Sequence, residues 1–309
     1  MLAGAYALTD RFDEGLREFD ALCEDIRRTR VQAHPPGIAD AHSGRGLLRL
    51  WSNDLPGAAE DLAVALSAAD EGGSIAARES ARYYLAEVFV RQGRWDDAIL
   101  LAQLSASLVD DSGQEWMAAL PHAVAAGPLA ARGEPTAQHH IERSLAAAAA
   151  VGMGVASALS TVAALEVAAC ARDHVAVVGL GRSLRDDPRR QVDERIAPWR
   201  ASFVEALVLA ELVDEAAVTA EALASAPATD VVRSDAARAM VAVAAARGDD
   251  DGMERAAGAG LALDPVSVGP YRRACLELAI GRAWRRRGDR RRAVEVLTAG
   301  RERFESLGA

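Results

Sequence analysis

The chain contains no lysine: all 35 of its basic residues are arginine. This excludes chemistry that depends on an amine side chain, including Schiff bases and the lysine of a G-x-x-x-x-G-K-[ST] phosphate-binding loop. Cysteine occurs three times, at Cys23, Cys170 and Cys275, with no C-x-x-C pair. Neither a disulfide framework nor a thiolate zinc site follows from such spacing, and a reducing, cytoplasmic location is the expectation. Aromatic residues make up only 5%, too few to fill a wide β-sandwich core. The amino-terminal residues lack the charged-then-apolar pattern of a secretion signal. One run, Leu145 to Leu165, carries no charge and is long enough to span a bilayer. It is mostly alanine and glycine, however, and Val151-Gly152-Met153-Gly154 interrupts it, so two packed helices are expected there and no membrane contact.

Catalytic and metal-binding patterns are equally scarce. The six histidines include no H-x-x-x-H with a third ligand, and the adjacent His139 and His140 diverge on a helix. There is no G-x-S-x-G elbow. The carboxylate clusters Asp96-Asp97 and Asp249-Asp250-Asp251 fall at expected helix starts, where the positive end of the helix dipole accounts for them. The cysteines lie in alanine-rich helical surroundings that favour an inert thiol. No enzyme activity, cofactor or metal is expected.

What the chain does have is alanine and a period. Half of the 309 residues are apolar and much of that is alanine, the best helix former. Turn signals recur at Asn53, Gly93, Gly133, Asp173, Val213, Gly248 and Gly288, in steps of 40 residues except one of 35, and an earlier copy lies at Asp10-Arg11-Phe12-Asp13-Glu14-Gly15. A fixed period of roughly 20–50 residues marks a repeat protein, in which each unit packs on its neighbours. Each unit reads as two helices separated by the marked turn. Small residues flank the turns, as at Gly46, Ala86 and Gly281 before and Ala58, Ala98 and Ala293 after, which is the tetratricopeptide (TPR) layout. The predicted fold is all-α: a TPR-like α-solenoid of seven to eight hairpins forming a partial superhelix, in a single domain over 1–309. The units cover 1–28, 38–70, 74–110, 114–151, 154–186, 197–226, 230–263 and 268–307. Pro56, Pro135 and Pro198 are expected near helix starts. Pro35-Pro36, Pro188, Pro227, Pro265 and Pro270 are expected in connections.

The last unit carries a more specific likeness. Leu278-Ala279-Ile280-Gly281-Arg282-Ala283-Trp284-Arg285-Arg286-Arg287-Gly288-Asp289-Arg290-Arg291-Arg292-Ala293, followed by Phe304 and Leu307-Gly308-Ala309, resembles the closing repeat of large MalT-like, LuxR-type transcriptional regulators. Gly46 to Ala58 resembles a mid-array repeat of the same proteins. The resemblance covers the repeat array only, since neither the family's ATPase loop nor its helix-turn-helix is in this chain. It implies a sensor or arm segment that receives a small-molecule inducer or a protein partner and relays binding to other domains of the parent regulator. A stand-alone TPR-like scaffold for protein–protein interaction is the alternative, and an enzyme on a helical toroid a third reading that the absence of an acid–base pair disfavours.

In stacked hairpins the first helix lines the concave side, at positions 13, 10, 6, 3 and 2 residues before the turn mark. Those positions supply the expected ligand or partner groove: Asp40, Ser43, Trp51, Tyr83, Glu87, Arg91, Arg200, Phe203, Glu211 and Arg238. The net charge of −10 argues against a general nucleic-acid surface, yet residues 271–309 hold eleven arginines against five acids. Arg282, Arg285, Arg286, Arg290 and Arg291 form the expected basic docking face. It is read as a solvated face, as a dock for an acidic neighbour or as a phosphate contact, with no base-reading motif and no sequence-specific DNA contact.

Overall fold

The computed structural model describes Ala3, Tyr6 and residues 11–29, 34–226 and 228–309. Among them are sixteen α-helices, two short 3-10 turns and no strand, so the chain is all-helical. It divides into two compact units, Met1–Ala125 and Ala126–Ala309. The first holds α1 (Phe12–Thr29), α2 (Pro35–Trp51), α3 (Leu55–Gly72), α4 (Ile75–Gln92) and α5 (Trp95–Asp111). The division falls inside α6 (Ala119–Ala131). The second unit continues with α7 (Thr136–Val151), α8 (Gly154–Cys170), α9 (His174–Asp186), α10 (Arg200–Leu209), α11 (Val213–Ala224), α12 (Asp230–Arg247), α13 (Asp250–Leu261), the short α14 (Pro265–Val268), α15 (Pro270–Arg287) and α16 (Arg290–Leu307).

The helices come in hairpins because the chain repeats one turn chemistry. The residue that reverses direction is left-handed each time: Asn53, Gly93, Gly133, Arg172, Glu211, Gly248 and Gly288, with φ between 59° and 92°. Glycine enters that region without a Cβ penalty. In four of these turns the next residue is an aspartate that starts the following helix. Asp54, Asp173, Asp249 and Asp289 are N-caps whose carboxylates accept from the backbone N–H groups of Gly57, Ala176, Gly252 and Arg292 at 2.8–3.2 Å. The expected turn marks at Asp173 and Val213 are thus corrected to Arg172 and Glu211.

Within each unit successive helices pack on one another, α2 on α3, α3 on α4 and α4 on α5 in the first, and α8 through α13 and α15 on α16 in the second. The small residues make this approach close. Ala58, Ala86 and Ala98 are fully buried, and a Cβ at Gly281 would sit 2.5 Å from Leu297 Cγ. In the second unit Leu165, Leu184, Trp199, Phe203, Leu207 and Leu223 form one core, and Met253, Leu276, Ile280 and Trp284 the next. Each such buried side chain stabilises by roughly 1.5–3 kcal/mol relative to exposure.

The uncharged run ends α7 at Gly152 (φ 67°) and resumes as α8 after Met153. Among the described residues no helix is long and apolar enough to cross a membrane. Three prolines expected in connections, Pro35, Pro265 and Pro270, instead open α2, α14 and α15. Proline's missing N–H costs nothing in a first turn and its fixed φ suits a helix. Pro227 lies outside the described residues.

Candidate functional site

The first helices of consecutive hairpins in the second unit, α8, α10, α12 and α15, touch in sequence. Each steps along the last. Cys170, two residues before its turn, reaches Tyr271, seventeen before its own, with Sγ 3.7 Å from the phenol oxygen. At the far side Arg132 Nε, just past α6, donates to Leu307 O at the end of α16 (2.9 Å). The helices thereby surround a cavity of about 1040 Å³, the upper end of the volume usual for small-molecule sites.

Counting back from the left-handed residue reproduces the cavity wall. Positions 6, 3 and 2 before Arg172 are Glu166, Ala169 and Cys170, and those before Glu211 are Glu205, Val208 and Leu209. Before Gly248, Arg238, Ala242 and Ala245 stand at 10, 6 and 3, and before Gly288, Cys275, Leu278, Arg282 and Arg286 stand at 13, 10, 6 and 2. All of these line the cavity.

A chain of polar groups crosses this wall. Arg238 grips Glu205 with Nε to Oε1 at 2.9 Å and Nη2 to Oε2 at 2.5 Å, and the same Nη2 lies 3.4 Å from Ser202 Oγ. Ser202 Oγ in turn donates to Glu166 Oε1 (3.0 Å). Burial raises the Glu166 pKa, with the Arg272 and Arg238 charges opposing. Burial also pushes the Cys170 thiol to about 11 and Cys275 to about 12, so both remain protonated and poorly nucleophilic at neutral pH. Behind the wall, Asp235 is buried and pairs with Arg272 (2.5 Å).

The expected groove residues separate. Arg238 lines the cavity. Arg200 does not: it holds Glu194 (2.9 Å) and lies over the Trp199 ring. Phe203 is fully buried in the core, where Gly181 leaves space for its ring: a Cβ there would meet Cδ2 at 2.3 Å. Glu211 is the exposed turn residue itself (φ 62°). All three were placed by a turn mark two residues late, which rotates a helix position by about 200°. Turn marks one and two residues late hide Glu166 and Glu205, whose signal is the 39-residue spacing from Gly133 to Arg172 to Glu211; Ser202, nine residues before Glu211, falls on none of the counted positions.

In the first unit, Trp51, Tyr83, Glu87 and Arg91 do come together. Tyr84 stacks on Tyr83 (4.2 Å) and meets the Trp51 edge (6.5 Å). Arg91 bridges Glu87 Oε1 (2.6 Å) and Leu50 O (3.2 Å). Trp51 and Tyr83 are buried, so these rings pack between helices and do not present a binding surface. Asp40 is exposed and Ser43 half-buried, and neither hydrogen-bonds to the cluster.

All five residues of the basic face are exposed; Arg282 and Arg286 stand at the edge of the cavity and line it, while Arg285, Arg290 and Arg291 lie outside it. Their neighbours Arg287 and Arg292 are held by Glu254 at 2.7 and 2.8 Å. Among the described residues no group of three or more His, Cys, Asp or Glu side chains is placed to hold a metal ion. The chain matches no protein-family model and no curated protein.

Proposed function

We propose that this chain is a cytoplasmic ligand-sensing segment built of TPR-like hairpins, the arm of a MalT-like, LuxR-type transcriptional regulator, with the cavity of its second unit as the receiving site. The observation that carries the reading is that cavity: a continuous, polar-and-apolar space walled by the first helices of consecutive hairpins, whose two cysteine thiols are held protonated by burial. The run from Leu278 to Ala293 supports the family, and its left-handed Gly288 and capping Asp289 form the closing hairpin. A ligand touching four hairpins at once biases how they stack, provided that it binds one arrangement better than another. The exposed Arg285, Arg290 and Arg291 would pass the change to an acidic surface of a neighbouring domain.

The test is a thermal-shift screen of the purified chain against a panel of small metabolites, repeated on Ala242→Trp, which fills the cavity from the half-buried wall of α12. A ligand at a hundred times its Kd stabilises by about 2.7 kcal/mol, and that gain should vanish in the variant. A panel with no binder, together with capture of a protein partner by both chains alike, would replace the sensor with a scaffold. Reading the DNA on both sides of the coding segment tests the regulator: a P-loop ATPase upstream and a helix-turn-helix downstream are expected.

A further inference from the structure

We propose that the ligand of this cavity is a small amphipathic acid, its anionic head held by Arg282 and Arg286 and its apolar tail lying along α15 toward Tyr271 and Phe304. The inference rests on the cavity being a small-molecule site.

The first argument is charge. Six guanidinium groups line the cavity, from Arg132, Arg172, Arg238, Arg282, Arg286 and Arg301, against the carboxyl groups of Glu166, Glu205 and Glu305. Glu205 is taken by Arg238 (2.9 Å) and Glu305 by Arg301 (3.4 Å). Burial drives Glu166 toward its neutral form, and its Oε1 accepts from Ser202. No side-chain carboxylate of the wall is left for Arg282 or Arg286, which are exposed at the cavity edge, and neither side chain has a hydrogen-bond or ion-pair partner among the described residues, in contrast to Arg287 and Arg292 beside them.

The second argument is spacing. Arg282 and Arg286 stand at i and i+4 on α15, on the same helical face and about 5–6 Å apart at Cβ, where like charges repel. An anion between them converts that repulsion into two charge-assisted hydrogen bonds, and guanidinium groups suit a carboxylate or phosphate head in this way.

The third is the wall beyond them. From Arg282 to Tyr271 is eleven residues, about 16 Å of helix. Over that length the apolar lining is Leu278, Ala279 and Cys275 from α15 and Leu297 from α16, ending where Tyr271 meets Phe304 edge-on at 5.9 Å, with the Arg301–Glu305 pair of α16 beside it. The Cys275 thiol, pushed to about 12 by burial, adds no charge. A medium-length acyl tail matches this strip, while the polar groups facing it, Glu166, Ser202, Glu205 and Arg238, are already bonded to one another.

The experiment compares sodium decanoate with decanol, below their aggregation limits, by titration calorimetry on the full chain. Decanoate is expected to bind about tenfold or more tightly, as two charge-assisted hydrogen bonds imply. The double variant Arg282→Gln/Arg286→Gln should lose that advantage and keep decanol binding unchanged. The variant Arg285→Gln/Arg291→Gln, on the outer surface, should change neither. Equal binding of acid and alcohol, or a decanoate affinity indifferent to Arg282 and Arg286, overturns the proposal. So does binding of an aspartate-rich decapeptide in preference to decanoate. If decanoate fails while an uncharged metabolite still stabilises the chain and loses its effect in Ala242→Trp, the acid class falls and the sensor reading stands. If nothing binds, both fall.

Discussion

Replacing Asp61 by alanine should destabilise the first unit by about 2–4 kcal/mol. The Asp61 carboxylate, on α3, is only 2% exposed. It accepts from three side chains of α2: His42 Nδ1 (2.8 Å), Arg45 Nε and Nη2 (2.8 and 2.6 Å) and Arg49 Nη1 (2.9 Å). Removing one partner of a fully buried pair costs about 3–5 kcal/mol, because the other charge stays behind. The two arginine side chains are 17% and 24% exposed and keep the exposed Asp20 at 3.1 and 3.7 Å, which brings the expected loss toward the lower part of that range. Hydrogen exchange of the α2 and α3 amides at pH 7 measures it locally, since two compact units need not unfold as one. The acid limb provides a second readout. Burial alone would raise the Asp61 pKa, but hydrogen bonds from His42 and Arg45 and the charges of Arg45 and Arg49 outweigh it, and the net direction is down. The stability Asp61 supplies is therefore present above the ordinary aspartate value of about 3.9 and is lost as pH falls through its lower folded value. The alanine variant should lack that acid-side loss. A change below ~1 kcal/mol at pH 7, the worth of a surface pair, would refute the view that this buried network joins α2 to α3.

Two further substitutions probe the second unit. Leu212 is the N-cap of α11 with no side-chain cap, where four other hairpins place an aspartate. Leu212→Asp should stabilise by about 0.5–1 kcal/mol, less whatever repulsion Asp214 and Glu215 add; an unchanged or lower melting temperature would count against cap chemistry as the device that starts these helices. Burial raises the Glu194 carboxyl to about 7, with Arg200 and the Trp199 N–H opposing. Its folded value lies above the unfolded one of about 4.3, so the stability it contributes is full below pH ~4.3 and is lost as pH rises through 7, at up to about 1.4 kcal/mol per pH unit. Glu194→Gln should flatten unfolding free energy between pH 5 and 8; a slope parallel to the parent chain's would show that Glu194 is charged throughout.

The helical class and most of the hairpin turns were legible because their chemistry is local. Asn53, Gly93, Gly133, Gly248 and Gly288 are residues that enter the left-handed region readily, and each does. Arg172 and Glu211 do the same work with no such signature, so the expected marks fall one and two residues later, at Asp173 and Val213. A slip of one or two residues matters little for where a helix begins. It decides everything about which side chain faces inward, because each residue turns the helix by about 100°. Arg200 and Phe203 therefore go to an ion pair with buried Glu194 and to the core, and Glu166 and Glu205 take the wall. Buried charge was illegible for a different reason. Arg273 donates to Glu277 (2.8 Å) and to the carbonyls of Gly260, Leu261 and Leu263 at 3.1–3.3 Å, but in sequence it is one arginine among many on an ordinary helix.

The same rotation explains why the basic run of α15 is not one surface. Arg285, Arg286 and Arg287 are consecutive, yet they have three destinations: solvent, the cavity, and the Asp250 and Glu254 carboxylates of α13 at 3.3 and 2.7 Å. Arg282 joins Arg286 because four residues return nearly to the same face, whereas Arg292, on the next helix, returns to Glu254 (2.8 Å) and stacks on Trp284. A count of arginines gives one strongly positive segment; the geometry gives two arginines already neutralised, an outer group open to a neighbour, and an exposed pair at the cavity edge that no side-chain carboxylate of the wall answers. That cavity-edge pair distinguishes this hairpin from the others of its unit, where the cavity positions six residues before the turn carry Glu166, Glu205 and Ala242. The asymmetry gives the cavity a cationic end at α15, and a ligand with one charged end would bind there in a single orientation.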